Sequence, residues 1–203
     1  MRYFLAIALL SIYPTTTLAA ELLIEETAPP GELRLLKTVS GYRDIAVYAT
    51  GEAENQDSYR QGNTYLSVSG NDQIWWIHTP APFSEIDALG FAEGPLLLVG
   101  LRSAAGAATM VLNTESRESY PLGQGIAEII PEGPNEGLIR LTGQYAHDSD
   151  GRYWYTSVVD LSGRVIEFGT EGETCLPLSH ITRHGGDFSQ LRQPLDFCVG
   201  VSR

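Results

Sequence analysis

The segment Thr64–His78 reads TYLSVSGNDQIWWIH and decides the fold. Two runs rich in aromatic and aliphatic residues flank Gly70-Asn71-Asp72, and a Gly-Asn-Asp sequence is typical of a tight turn. The segment is therefore predicted to be two antiparallel strands joined by that turn. A third run, Asp44–Ala49, precedes them across a polar connection and has the same strand composition.

The order of strand, connection, strand, tight turn and strand recurs twice more. The second unit comprises Pro95–Leu101, Ala107–Leu112 and Arg117–Leu122, and the third comprises Leu138–Thr142, Arg152–Leu161 and Arg164–Phe168. The three turn segments begin at Val68, Val111 and Val158, 43 and then 47 residues apart. A period in the forties of short antiparallel strands is typical of β-propeller blades, since one small sheet cannot bury both faces until sheets pack together.

We therefore predict an all-β fold of antiparallel sheets, in repeated units of three or four strands that stack like propeller blades. An ordinary β-sandwich or β-barrel is the alternative. Leu33–Val39 and the C-terminal tail are candidate partial units. The best helix candidates are two short segments, Phe83–Leu89 and Phe188–Leu191.

Residues 1–20 have the features of a secretory signal peptide. Arg2 precedes an apolar run, Pro14 interrupts it, and the small residues Ala19 and Ala20 fit a peptidase cleavage site. The apolar run is shorter than the ~20 residues that span a bilayer, and no later stretch is predicted to insert in a membrane. We expect residues 21–203 to form a single β-rich domain that is periplasmic or secreted.

The chain is acidic. Its net charge is −12, and removal of residues 1–20, whose one charged residue is Arg2, changes this to −13. Phosphate would repel such a chain, so nucleic acid and anionic membranes are poor candidate partners. A basic protein, such as a basic enzyme, is the expected partner; the alternative is that the charge only confers solubility.

The two cysteines are Cys175 and Cys198. In an oxidising compartment an isolated pair is most simply a disulfide, and these two residues lie farther apart than a C-x-x-C redox pair. A bridge that closes a loop of this size near the C-terminus contributes about 3 kcal/mol in the chain-entropy model.

The sequence contains no standard catalytic or metal-binding motif. Neither a G-x-S-x-G nucleophile elbow nor an H-E-x-x-H zinc motif is present. His180 and His184 have helical spacing, but Gly185-Gly186 argues against a helix there. We predict no cofactor and no metal, and an enzyme is the less favoured class; a hydrolase that pairs His147 or His184 with a nearby aspartate is the alternative.

The polar stretch around Asp148 is a candidate binding region. Asp148-Ser149-Asp150-Gly151 begins like a calcium-binding loop, but the twelfth position is Val159 and not the required glutamate. A tight turn between two strands is the better interpretation. We include Tyr145, His147 and Asp148 among the predicted binding residues.

Two further stretches are candidate binding elements. Trp75-Trp76 and Tyr153-Trp154-Tyr155 lie on predicted strands, where alternation exposes at least one aromatic ring, and we include Trp76 as a binding residue. Arg102–Ala108 is rich in small residues and is predicted to be a protruding loop. In that loop Ser103 offers a hydrogen bond and Gly106 allows close approach; the alternative is a plain hairpin connection.

The leader at Met1–Ala20, the acidic β-repeat body and the Arg102–Ala108 loop together resemble a class of periplasmic immunity proteins. Those proteins neutralise cell-wall amidases delivered by type VI secretion, and they insert a loop into the catalytic cleft. The resemblance implies an exported inhibitor of a basic cell-wall hydrolase, with Ser103 as a contact residue. The alternatives are a secreted hydrolase and a propeller-type envelope adaptor that binds peptide or glycan.

Overall fold

The computed structural model describes residues 22–50, 64–70, 73–79, 83–103, 106–148 and 151–170, with side chains described except at 144–148, 151–155 and 170. Every regular element within these ranges is a β-strand, which confirms the prediction of an all-β fold. The predicted signal peptide, the cysteines Cys175 and Cys198 and the short helix Phe188–Leu191 lie outside the described residues.

Thirteen described strands form three antiparallel sheets, each listed here in chain order. The first sheet contains β1 (Leu23–Glu25), β2 (Leu33–Val39), β3 (Asp44–Thr50), β4 (Thr64–Gly70) and β5 (Gln73–His78). The second contains β6 (Glu85–Glu93), β7 (Leu96–Ser103), β8 (Gly106–Asn113) and β9 (Ser119–Gln124). The third contains β10 (Ile126–Ile129), β11 (Ile139–Asp148), β12 (Gly151–Val159) and β13 (Val165–Thr170). Each sheet is a four-stranded meander of neighbouring strands, and β1 is added to the first sheet beside β5.

The predicted repeat is confirmed as three successive sheets, and each unit also begins with one more strand. These additional strands are β2, β6 and β10. The helix predicted at Phe83–Leu89 is wrong, because this segment enters β6. The reason is local: Ile86 and Ala88 are buried and alternate with Glu85 and Asp87, which is the period of a strand and not of a helix.

The second sheet lies between the other two and buries both of its faces. One face joins the first sheet in an apolar cluster that includes Leu97, Val99, Leu101, Met110 and Leu112. The opposite face joins the third sheet in a second cluster, to which it contributes Leu98, Val111 and Leu122. Adjacent residues of one strand therefore pack into different clusters, as expected where side chains alternate between faces.

A buried threonine ties the second sheet to the start of the third. Thr109 on β8 donates a hydrogen bond from its hydroxyl to the carbonyl of Gly125, at 2.8 Å. The same hydroxyl accepts from the amide of Ala127, at 3.1 Å. Since Thr109 has no exposed surface, both backbone groups depend on it in place of water.

Thr109→Val is expected to destabilise the protein by about 2 kcal/mol, because it keeps the side-chain shape but leaves two backbone groups without their partner. The matched control is Thr142→Val, whose half-buried hydroxyl makes one longer bond of 3.3 Å to the carbonyl of Ile126. It is expected to lose less than about 1 kcal/mol. Urea denaturation measures both; equal losses would contradict a special role for Thr109.

The meanders bring alternate connections to opposite ends of the stack. The β7–β8 and β11–β12 connections lie at one end, which we call the hairpin end. The β2–β3, β8–β9 and β12–β13 connections lie at the other, which we call the turn end. Two contacts show the shared position of these turns: the Tyr42 hydroxyl donates to Glu115, and that of Tyr120 donates to the Leu161 carbonyl at 3.1 Å.

Candidate functional site

The segment Arg102–Ala108 was predicted to be a protruding loop, but most of it is strand. The loop is therefore shorter than predicted. β7 continues to Ser103 and β8 begins at Gly106, and these two residues pair directly. The Ser103 hydroxyl donates to the Gly106 carbonyl at 3.3 Å, across the base of the hairpin. Gly106 has φ of +152°, a backbone conformation that side-chain-bearing residues rarely adopt. Both residues therefore shape a narrow hairpin.

The predicted polar connection in the third unit is also shorter than expected. β11 and β12 run on as a two-stranded ribbon in which Tyr145 pairs with Trp154, His147 with Arg152, and Asp148 with Gly151. Pairing of β10 with β11 stops at Ile126, opposite Thr142, so β11 extends past its β10 neighbour. The structure thus places Tyr145, His147 and Asp148 at the same end as Ser103 and Gly106.

Trp76 lies apart from these hairpins, on the face of the first sheet that points away from the second. Its neighbours in sequence, Trp75 and Ile77, enter the cluster between the first two sheets. Strand alternation consequently turns Trp76 to the opposite side. We call this side the outer face and define it by the registered positions Leu23, Glu25, Leu35, Tyr48, Tyr65, Ile74, Trp76 and His78.

The outer face is aromatic at its centre and aliphatic at its margins. The rings of Tyr48 and Trp76 have centroids 5.4 Å apart, and Tyr65 meets His78 edge-on at 4.7 Å. Around them, Ile74 is 57% exposed and Leu23 and Leu35 are each 52% exposed. These three are the most exposed large hydrophobic residues in the described part of the chain. The rings of Tyr48 and Trp76 are half-buried and that of Tyr65 is buried. Exposed aliphatic groups that adjoin half-buried rings mark an interaction surface.

The charge on the outer face is acidic. Glu25 lies on β1 directly opposite Trp76, and its carboxylate is 3.3 Å from the imidazole of His78. By register the five described strands contribute Glu25 and Asp44 to this face and neither lysine nor arginine. Lys37 lies on the opposite side of β2 and pairs with Asp87 at 2.7 Å.

Sequence reasoning found one residue of the outer face, Trp76, and missed its companions. Ile74 could have been predicted from the sequence, because it alternates with Trp76 and His78 on the same side of β5. Leu35 and Tyr48 could not be assigned in the same way. They meet only through the register of β2 with β3, which contains a bulge between Leu35 and Lys37.

Arg117 joins the first and second sheets at the turn end. Its guanidinium lies over the ring of Trp75, 5.4 Å from the centroid, and 3.2 Å from Glu26. It also donates to the side chain of Gln73 at 3.5 Å. Arg117 has φ of +64°, in the left-handed region that costs a side-chain-bearing residue about 1–2 kcal/mol. Its contacts with the first sheet offset that strain.

Arg117→Ala is expected to lower stability by about 1–2 kcal/mol, because the cation–π contact and the ion pair are lost while the strained backbone remains. Arg117→Gly loses the same contacts but relieves the strain. We therefore expect the glycine variant to be more stable than the alanine variant by about 0.5–1 kcal/mol. Chemical denaturation compares them, and an alanine variant as stable as the glycine variant would contradict this explanation.

Three titratable groups at the turn end have shifted pKa values. The hydrogen bond from Tyr42 to Glu115 raises the pKa of Tyr42, and burial together with Asp160 raises that of Tyr120. Burial alone would raise the pKa of Asp160, but hydrogen bonds from Ser162 and Arg164 outweigh it and hold that pKa below its ordinary value. These bonds include 2.8 Å from the Ser162 amide and 3.1 Å from the Arg164 amide.

Asp160→Asn is expected to cost most stability at neutral pH and progressively less in acid. A carboxylate with a lowered folded pKa contributes stability above its unfolded pKa, and this contribution is lost as the pH falls through the folded pKa. The difference in urea midpoint between wild type and variant should therefore shrink as the pH falls from about 6 to about 2. A constant difference over that range would exclude the charge of Asp160 as the cause.

Over the described residues, no group of three or more His, Cys, Asp or Glu side chains is arranged to hold a metal ion. Among these residues there is also no helix long and apolar enough to cross a membrane. No family model, curated protein or solved structure matches this chain. The outer face, with its exposed Ile74, Leu23 and Leu35, and the hairpin end, with Ser103 and Gly106, are the two candidate sites.

Proposed function

We propose that this protein is an exported binding protein of the bacterial envelope, and that it holds a basic protein partner on the outer face of its first sheet. The observation that carries the proposal is the exposure of Ile74, Leu23 and Leu35 around the Tyr48–Trp76 ring pair. Such a surface is costly to leave in water, and tryptophan and tyrosine are typical anchors of protein interfaces.

The dimensions and composition of the outer face favour a protein over a glycan. Five strands spaced about 4.8 Å apart span about 19 Å, which suits a protein surface. Glycan sites combine an aromatic platform with many hydrogen-bonding groups. Here the most exposed neighbours of the rings are Ile74, Leu23 and Leu35, which offer no side-chain hydrogen bonds, although Glu25 and Asp44 also lie on this face.

Charge complementarity supports a basic partner. Glu25 and Asp44 border the aromatic centre, no lysine or arginine of the described strands lies on the outer face, and the whole chain has a net charge of −12. Such a distribution accelerates the association of an oppositely charged protein and repels a second copy of this chain. A basic cell-wall hydrolase in the periplasm fits this description, so we retain the proposal of an immunity protein or inhibitor.

We also propose that the three sheets are successive blades of a propeller-like stack. Supporting this, each sheet is a four-stranded meander and the second sheet packs face to face against both neighbours. In this arrangement the outer face is the exposed end of the stack. The outer side of a terminal sheet is ordinarily polar, so the apolar residues exposed there support a partner that covers them.

The proposal can be tested by photo-crosslinking in the source bacterium. A benzophenone amino acid replaces Ile74 on the outer face, and a matched probe replaces Glu132, which is exposed in the β10–β11 connection. We expect the first probe to capture a basic periplasmic protein and the second to capture none. The purified partner should then bind this protein directly and, if it is a cell-wall hydrolase, lose activity on peptidoglycan.

Three outcomes would contradict the proposal. Equal capture from positions 74 and 132 would show that the contact is not specific to the outer face. Capture of a second copy of this chain would make the outer face a dimer interface. Retention of the purified protein on peptidoglycan strands, with no protein captured, would identify a glycan-binding module.

A further inference from the structure

We infer that the outer face recognises an arginine side chain of the partner, which lies over the ring of Trp76 and pairs with Glu25. This inference rests on the proposed function, because it names the anchor of the same surface. It assigns a specific chemistry to two residues that are direct neighbours across the β1–β5 pair.

The described part of the chain already contains such an arrangement, on the other side of the same strand. Arg117 lies over Trp75 at 5.4 Å and pairs with Glu26 at 3.2 Å. Trp75 and Trp76 are consecutive, and so are Glu25 and Glu26. Trp76 and Glu25 on the outer face therefore form a tryptophan–glutamate pair that resembles Trp75 and Glu26, the pair that holds Arg117. The inner pair holds an arginine of this chain, whereas by register no arginine of the described strands is on the outer face.

The geometry of the outer pair suits a guanidinium. Directly opposed residues in an antiparallel pair have Cβ atoms about 5 Å apart, so a planar group stacked on the Trp76 ring can reach the carboxylate of Glu25. The Oε2 atom of Glu25 faces His78 at 3.3 Å, which leaves Oε1 to accept from the partner. Tyr48, in contact with Trp76, extends the aromatic surface for the aliphatic part of the arginine side chain.

Arginine fits this pair better than lysine or an apolar residue. Its guanidinium stacks on an aromatic face and donates to a carboxylate at the same time, while an ammonium is compact and strongly hydrated. An apolar anchor would leave Glu25, which borders the aromatic centre, without a cationic partner when the interface forms, which disfavours binding.

The test is an NMR titration of the purified protein with three small probes: N-acetyl-arginine amide, its lysine counterpart, and the neutral isostere N-acetyl-citrulline amide. We expect the arginine probe to shift the indole N–H of Trp76 and the amide of Glu25, and to bind several-fold more tightly than the other two. Glu25→Gln should weaken the affinity of the protein for the arginine probe by roughly fivefold. The matched control Glu26→Gln should leave its affinity unchanged.

The inference would be overturned if citrulline bound as tightly as arginine, or if the shifts mapped away from Trp76. It would also be overturned if Glu25→Gln and Glu26→Gln had equal effects. These results are separable from a failure of the proposed function. If the arginine probe does not bind while a basic partner still crosslinks at position 74, the inferred arginine contact is wrong but the outer face remains the binding surface. If the probe binds at Trp76 but no protein does, the recognition chemistry stands and the partner class is wrong.

Discussion

Leu98→Ala is expected to lower the free energy of unfolding by about 3 kcal/mol, and Leu97→Ala by about the same amount. The two residues are consecutive on β7, and their exposed fractions are 1% and 0%. Leu97 belongs to the cluster shared with the first sheet, and Leu98 to the cluster shared with the third. Each truncation removes buried methyl groups and leaves a cavity between two sheets.

The paired result discriminates between architectures. In a two-layer sandwich, one of two consecutive strand residues faces the core and the other faces solvent, so one variant would lose little. Urea denaturation gives both values, with Leu35→Ala as the control. Leu35 is half exposed on the outer face, and its truncation should cost less than about 1 kcal/mol. A loss below that value for Leu97→Ala or Leu98→Ala would contradict the central position of the second sheet.

Ile74→Arg is expected to weaken binding of the proposed basic partner by at least about 100-fold. The substitution removes an exposed aliphatic contact and places a positive charge on a face that otherwise carries Glu25 and Asp44. Ile74→Glu removes the same contact but adds a negative charge, so it should weaken binding by only about tenfold. Calorimetric titration with the purified partner measures both affinities.

The control for net charge is Glu132→Arg, which reverses a charge in the exposed β10–β11 connection. It should change affinity by less than about threefold at physiological salt, since separated surface charges are screened. Neither substitution at Ile74 should lower stability by more than about 1 kcal/mol, because the side chain is mostly in water. Equal affinities of the Ile74→Arg and Ile74→Glu variants would contradict the proposal that the acidic outer face attracts a basic partner.

The sequence was sufficient to predict the strands that begin and end at clear turn signals. Gly70-Asn71-Asp72 and Ser162-Gly163 separate runs of strand-forming residues, and the strands around them are present in the structure. The segment at Phe83–Leu89 was misassigned as a helix, because so short an apolar pattern fits a helix and a strand almost equally. Tertiary packing of Ile86 and Ala88 decides in favour of the strand.

The candidate site was harder to predict, because it depends on strand register. Alternation along β5 alone was enough to predict that Trp76 points away from the core. Its contact with Tyr48 and its pairing with Glu25 follow from β3, β4, β5 and β1 lying side by side, and the sequence does not encode that order locally. Arg117 was likewise missed, since its partners Glu26 and Trp75 are far from it in sequence.

The hairpin end remains a predicted binding region. Ser103 and Gly106 lie at the tip of one hairpin, and Tyr145, His147 and Asp148 lie on the other. A loop inserted into an enzyme cleft would use this end, whereas the proposed interface uses the outer face of the first sheet. The two modes predict contacts on different parts of the chain, which makes them separable by one experiment.

That experiment is hydroxyl-radical footprinting of the protein with and without its purified partner, with side-chain oxidation measured residue by residue. We predict that the partner protects Ile74, Trp76 and Leu35 and leaves Tyr42 and Tyr120, exposed at the turn end, unchanged. Protection of Tyr145 and His147 on the β11–β12 ribbon, with Ile74 and Trp76 oxidised as before, would contradict the outer face as the binding surface.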